Sequence, residues 1–376
     1  MKRILLLIIF ILLLTGCNYR MVGITSKSGK SEYTVEVYKK LKISEVVEEE
    51  VTEDDYLDTS DIKDYTITYT NKSDKTRTVI IKVRDTTPPT VMLPNNYNHI
   101  KGTNFTIKSD IMCADNYDKT PKCEVIGTYD LNTLGTYPVT YRAEDSSGNV
   151  FERKFNINVV EKPKDDNSLM SFEEVKKIVN ENEGKLLIDV SKHEGNINWK
   201  KVKDSGVDYA FIRLGTQRYS TNELLIDQYF EKNYKEATKY GIKLGVYFFT
   251  YAKDKEEILK HADFVLEKIK GKKFELGVAL DWECWELFNS FSISKHDLNE
   301  MGEAFLNKIK ESGYKPILYS SKNYLENVWD IDVDVWVAHY NKKTNYTKNK
   351  LIWQFAPNGV IPGISSDVDV NVYYGD

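Results

Sequence analysis

The sequence predicts a multidomain chain. Two small all-β sandwiches stand in series, and an α/β unit built on a parallel barrel or doubly wound sheet follows. Three observations predict it. At 376 residues the chain is too long for one average domain. Its first half alternates with period 2 and repeats itself: Tyr65-Thr66-Ile67-Thr68-Tyr69 is matched by Tyr137-Pro138-Val139-Thr140-Tyr141. From Lys185 the pattern changes to strand then helix, repeated to the end. The net charge is −5 and no long basic stripe or RNA-binding motif is present, which argues against nucleic-acid partners. Apolar and charged fractions are near globular averages, enough for a sizeable core.

The elements follow in order. Lys2 and Arg3 open the chain, and Ile4 to Leu14 is an unbroken apolar run too short to span a bilayer comfortably. It ends in Leu14-Thr15-Gly16-Cys17, which resembles a bacterial lipobox. The resemblance implies cleavage before Cys17 and lipidation of its thiol. Residues 1–17 are therefore expected to be a lipoprotein signal peptide that anchors the protein to the outer face of a Gram-positive cell membrane. Such a lipid adds roughly 0.8 kcal/mol per buried CH₂. The alternative is an ordinary secretory signal or membrane anchor that contains a Cys.

Asn18 to Lys30 has the composition of a flexible tether. Tyr33, Val35 and Val37 then begin the alternation, and Tyr65–Tyr69 and Val79–Val83 predict two strands around a turn at Asn71 to Asp74. In the second copy the turn is Asp145-Ser146-Ser147-Gly148-Asn149, and Phe155 to Val159 is the closing strand. The Asp85-Thr86-Thr87-Pro88-Pro89 junction, the Gly135-Thr136-Tyr137 start and the Asp145 turn resemble bacterial surface immunoglobulin-like modules. The resemblance implies two immunoglobulin-like sandwiches, residues 18–86 and 87–161. Such modules are usually spacers, and no Trp precedes residue 188 to suggest sugar binding. Cys113 and Cys123 lie in this β-rich stretch of an exported protein, so a disulfide is expected, with two unpaired thiols as the alternative. Residues 162–185 form a polar linker in which Ser171-Phe172-Glu173-Glu174 resembles a capping box.

In residues 186–376, strands are expected at Leu186–Val190, Tyr209–Leu214, Leu244–Phe249, Gly277–Asp281, Pro316–Ser320, Val333–Ala338 and Leu351–Phe355. Helical spacing covers Leu224–Tyr240, Glu256–Ile269 and His296–Glu311. The stretch Gly277-Val278-Ala279-Leu280-Asp281-Trp282-Glu283 is the centre of the argument. Side chains alternate along a strand, so Asp281 and Glu283 share one side with Cα atoms roughly 6.5–7 Å apart. Two acids held together do not ionise independently, and one keeps its proton to higher pH, as a general acid must. Asp189, His339 and Asp369 recur at strand ends, and the C-terminal end of the strands is the active face of a (β/α) barrel. Cys284 faces away from the pair and is expected to be packing. No His/Cys cluster has metal-ligand spacing and no Gly-rich phosphate loop is present, so neither metal nor cofactor is expected.

This domain resembles the glycoside hydrolase family 25 lysozymes, or Chalaropsis-type muramidases. The resemblance rests on Ile188-Asp189-Val190-Ser191, Phe211-Ile212-Arg213, Gly245-Val246-Tyr247-Phe248-Phe249, Ala279-Leu280-Asp281-Trp282-Glu283, Leu318-Tyr319-Ser320, Trp336-Val337-Ala338-His339-Tyr340, Ile352-Trp353-Gln354-Phe355 and Val368-Asp369-Val370-Asn371. It implies a TIM-like, irregular β/α barrel that cleaves the β-1,4 bond from N-acetylmuramic acid to N-acetylglucosamine in peptidoglycan glycan strands. Carried over by position, Glu283 is the proton donor. Asp281 supports the transition state or orients the 2-acetamido group, and Asp189 and Asp369 line the same subsite. Tyr247, Trp282, Trp336, His339, Tyr340 and Asn371 are expected to contact sugar. Some members carry His after the Tyr of the third strand; here the residue is Phe248. The rival expectation is a catalytically silent, peptidoglycan-binding surface lipoprotein.

Overall fold

The computed structural model describes residues 30–376 except 95, 105 and 164–167. Cys17 and the rest of the expected signal peptide lie outside the described residues. Among these, no helix is long and apolar enough to cross a membrane. The chain divides into two compact units after Asp85.

In the first unit β1 (Glu32–Glu36), β2 (Asp64–Thr70) and β3 (Thr76–Arg84) form one sheet in the order β1-β3-β2. β1 is parallel to β3, whereas β2 and β3 form an antiparallel hairpin. Tyr33, Val35, Ile81 and Val83 fill the core with Val46 and Val47 of the short helix α1 (Ile43–Val47).

The second unit opens with β4 (Thr90–Val91), β5 (Tyr97–Ile100), α2 (Ile107–Asp110), β6 (Cys113–Ala114), β7 (Lys122–Ile126), β8 (Gly135–Glu144) and β9 (Val150–Val160). The main sheet runs β5-β9-β8-β7, and β4 pairs with β6. The sequence repeat has a structural counterpart. In both modules an antiparallel hairpin takes a further strand in parallel against its second member, β1 on β3 and β5 on β9. Cys113 and Cys123 are disulfide-bonded.

After α3 (Phe172–Glu181) comes the barrel, made of β10 (Lys185–Val190), α4 (Trp199–Asp204), β11 (Tyr209–Gln217), β12 (Leu224–Ile226), α5 (Phe230–Lys239), β13 (Lys243–Phe249), α6 (Lys255–Ile269), β14 (Gly277–Asp281), α7 (Phe288–Phe291), α8 (Lys295–Glu311), β15 (Pro316–Ser321), α9 (Lys322–Asn327), β16 (Asp334–Ala338), β17 (Lys350–Gly359) and β18 (Val368–Tyr373). The order β10-β18-β17-β16-β15-β14-β13-β11 closes on itself through β10–β11, giving eight strands. Interior positions carry Leu187, Phe211, Ala279, Ile317, Trp336 and Ile352. The alternate positions, such as Ile188, Ile212, Val246 and Leu280, pack outward with Val265, Phe305 and Ile309 of the helices. Strands covered on both faces must be apolar on both, which is why they form continuous apolar runs.

The expected fold class is corrected on both counts. A TIM barrel needs eight parallel strands, each followed by a helix. Here β18 is antiparallel to both neighbours, and no helix joins β16 to β17 or β17 to β18. The short connection between β17 and β18 leaves no room for a crossover, so the closing strand returns antiparallel. The result is a β-rich closed barrel. Nor are the modules two immunoglobulin-like sandwiches, which require face-to-face antiparallel sheets. A parallel strand edges the main sheet of each. The helix expected from Leu224 also starts late. Leu224–Ile226 pairs instead with Gly215–Gln217 as an edge strand, and Asp227 then accepts the Tyr229 N–H at 2.9 Å before α5 begins.

The β4–β9 module does not stand clear of the barrel. Met112 and Ala114 belong to the same buried cluster as Trp282, Trp285 and Phe288. The Lys295 N–H donates to the Asp115 carbonyl at 2.7 Å, and Lys295 Nζ donates to Thr90 Oγ1 at 2.6 Å. Lys119 pairs with Asp297 at 3.0 Å.

Candidate active site

Counting by twos from the interior residues builds the site. Leu187 leads to Asp189 and Ala279 to Asp281 at the C-terminal ends of their strands, and Ile317 leads to Tyr319 and Ile352 to Gln354 within theirs. β18 runs the other way, so its first residues reach the same end, and Asp369 stands directly opposite Asp189. Such cross-strand neighbours have Cβ atoms about 4.5–5.5 Å apart. Glu283 lies two residues beyond Asp281, just past the end of β14.

The floor is tightly bonded. Asp189 Oδ2 accepts from Asn371 Nδ2 at 2.8 Å and from Gln354 Nε2 at 3.1 Å. Gln354 Oε1 accepts the hydroxyls of Tyr319 at 2.9 Å and Tyr340 at 3.1 Å. Trp336 Nε1 donates to Asn371 Oδ1 at 2.8 Å. Arg213 is held by Asp227, with Nη2 at 2.8 Å and Nε at 2.9 Å from one carboxylate oxygen.

These acids are starved of water. Burial pushes the Asp281 carboxyl well above its ordinary value, and the charge of Glu283 pushes it further, against the opposing pull of Arg213. Glu283 is also raised by burial, less so because its hydrogen bond with Asp281 favours the Glu283 carboxylate. Asp281 is the buried member of the pair and Glu283 the half-buried one. Burial lifts Asp189 to about 7 against the hydrogen bonds from Asn371 and Gln354. Asp369 rises to about 9, from burial first and then the charge of Asp189. A group of carboxyls that stays partly protonated near neutral pH can hold, deliver and recover a proton.

The structure brings Asp189, Asp281, Glu283 and Asp369 to one end of the barrel. Tyr247 lies half-buried on the interior face, edge-on to Trp336 at 6.0 Å between ring centroids. Tyr340 is 57% exposed and offers a ring face, with its hydroxyl on Gln354. Three expected sugar contacts are corrected. Trp282 and Trp336 are each 1% exposed and Asn371 is fully buried, so none presents a surface to a ligand. Trp282 is packed edge-on to Trp285 and donates to the Ala252 carbonyl; Trp336 and Asn371 carry the floor under Asp189. His339 Nδ1 is engaged by Thr344 Oγ1 at 2.9 Å. Cys284 is buried, as expected of a packing residue, and burial pushes its thiol up. Gln354, Tyr319 and Arg213 had no assigned role from sequence. An amide two positions past an interior Ile was the available signal for Gln354.

Residues 188–364 match the family described as Glycosyl hydrolases family 25, and residues 1–18 match a prokaryotic membrane lipoprotein lipid attachment site. The chain is 28% identical over 199 residues to the uncharacterized protein YegX of Escherichia coli, covering 50% of this chain and 69% of that one. It is 24% identical over 190 residues to the autolytic lysozyme of Clostridium acetobutylicum, covering 50% and 55%. Among solved structures, the modular autolysin LytC from Streptococcus pneumoniae in complex with a synthetic peptidoglycan ligand aligns at 25% identity and a TM-score of 0.46, covering 62% of this chain and 56% of that one. A family 25 glycosyl hydrolase from Bacillus anthracis aligns at 22% identity and a TM-score of 0.44, covering 51% and 89%. The chain thus spans little more than half the length of the clostridial lysozyme and the pneumococcal autolysin. The barrel is thus similar to the glycosyl hydrolases of family 25 and to the clostridial autolytic lysozyme.

Proposed function

We propose that the protein is an N-acetylmuramidase that cuts the β-1,4 bond between N-acetylmuramic acid and N-acetylglucosamine in peptidoglycan. A lipid on Cys17 holds it at the outer face of the cell membrane. The observation that carries the reading is the hydrogen-bonded Asp281–Glu283 pair, both members raised by burial, beside Asp189 and Asp369. Glu283 protonates the leaving oxygen. Asp281 supports the oxocarbenium-like transition state or orients the 2-acetamido group. Asp189 and Asp369 line the sugar subsite, and Tyr340 and Tyr247 flank it.

The test incubates the wild-type protein and Glu283→Gln with purified peptidoglycan and identifies the released ends by mass spectrometry. Loss of one general acid costs about 10²–10⁴-fold. Muramic acid reducing ends from the wild type, slowed on that scale in the variant, are the expected result. N-acetylglucosamine ends would refute the bond assignment. Sedimentation of both proteins with the wall, without cutting, would mean a silent binding lipoprotein.

A further inference from the structure

The β4–β9 module holds a second set of acids, remote in sequence from the catalytic ones. Asp115 follows β6 and is fully buried. Its Oδ1 accepts the N–H groups of Tyr117 at 2.9 Å and Asp118 at 2.8 Å. Its Oδ2 is buried with no hydrogen-bond partner. Asp145 begins the Ser146-Ser147-Gly148 turn and is 5% exposed. Its Oδ1 accepts from the Ser147 and Asn149 N–H groups, each at 2.9 Å, and its Oδ2 from Asn149 Nδ2 at 2.9 Å. The two carboxylates approach within 4.8 Å. Asp118 ties the two loops together, accepting the Ser146 N–H on Oδ2 at 2.8 Å.

We propose that Asp115 and Asp145 hold a calcium ion in this module. The bare, buried Oδ2 of Asp115 is the observation that asks for a ligand. Its other oxygen accepts two N–H groups, and Asp145 accepts three hydrogen bonds, so both carboxyl groups are fixed in place beside the bare oxygen. A cation between two buried carboxyl groups this close would satisfy the bare oxygen. The donors are all oxygens, which selects a hard cation over zinc or copper. Calcium tolerates an irregular shell completed by carbonyls and water, whereas magnesium demands a near-ideal octahedron. The spacing of His and Cys in the sequence carries no sign of this site, because oxygen alone builds it.

The position gives the ion a consequence. The Asp115 carbonyl accepts the first N–H of α8, and the preceding residues Met112 and Ala114 pack with Trp285 and Phe288, on the segment that follows Glu283. Calcium would lock this seam. The inference does not rest on the catalytic reading.

The test uses full-length protein in detergent, stripped with EDTA and dialysed. Calorimetric titration with CaCl₂ should show one ion bound per chain. The Tm should rise by about 5 °C at a hundredfold excess over Kd. Asp115→Asn and Asp145→Asn should each weaken binding at least about tenfold, with barrel circular dichroism confirming that each variant is folded. No heat and no Tm shift in the wild type would overturn the proposal and leave a proton between the carboxyls. Equal binding in the variants would place the ion elsewhere and overturn it too. An equal shift with MgCl₂ would overturn the choice of calcium.

Discussion

Asp369 shows in one side chain what the acid cluster does to stability. Its ordinary value of 3.8 applies in the unfolded chain, whereas burial and Asp189 lift it to about 9 in the folded protein. Between those values the folded state binds more protons than the unfolded state. Stability contributed by this group is therefore full below about pH 4 and is lost as the pH rises towards 9. Asp369→Asn removes the titrating group. The Tm of the variant minus that of the wild type should be more positive at pH 8 than at pH 4, read from thermal melts in the two buffers. A difference that is flat or falls with pH would mean that Asp369 ionises freely. If Asp369 lines the proposed sugar subsite, the same variant should also lose activity, since acids held for function are kept at the expense of stability. Gln354 is the other informative residue. Its amide joins Asp189 to two tyrosine hydroxyls, so one side chain sets the position of both the floor and the rim.

At the scale of the strand, the acid pair was legible because period 2 is strict. An Asp and a Glu two positions apart at the end of an apolar run are placed on one face by that period, and here the pair meets although β14 ends at Asp281. The aromatic residues were not legible in the same way. Trp336 and Tyr340 are four positions apart in one motif, yet one is sealed under the floor and the other is open, because strand β16 ends between them. The antiparallel return of β18 was likewise hidden. Val368-Asp369-Val370-Asn371-Val372 alternates as a strand should, but alternation says nothing about direction. Packing inside the barrel adds a constraint that sequence shows only as a glycine. A Cβ on Gly245 would lie 2.3 Å from Phe211 Cζ. Phe211 cannot swing away, because it is packed on Trp336 at 4.7 Å, which is packed on Tyr319 at 4.9 Å. Gly245→Ala should cost about 1–3 kcal/mol through overpacking. At about 2–4 °C per kcal/mol this is visible in a thermal melt. An unchanged Tm would show that the ring stack yields.

For the unit from Thr86 to Asp376, the module and the barrel share one buried surface. A spacer would be expected to touch its neighbour only through a linker. Here Met112 and Ala114 are as buried as any barrel residue and lie in the cluster that holds Trp282 and Phe288. The segment from Trp285 to Phe291 follows closely on Glu283, so what packs against it bears on the proposed proton donor. Asn289 Oδ1 accepts the Cys113 N–H at 3.4 Å, and Lys119 reaches Asp297 in the first turn of α8. α3 also belongs to the barrel, through Val175, Ile178 and Val179 in the same core. A fragment of residues 168–376 keeps α3 but loses the module, and it uncovers the apolar face that Met112 covers. Burying one such side chain is worth about 1.5–3 kcal/mol. The fragment should therefore melt at least about 5 °C below residues 86–376. It should also turn over peptidoglycan more slowly, because the segment carrying Trp285 is no longer held. Equal Tm and equal rate in the two fragments would show that the module is a passive spacer and that the shared core adds nothing to the enzyme.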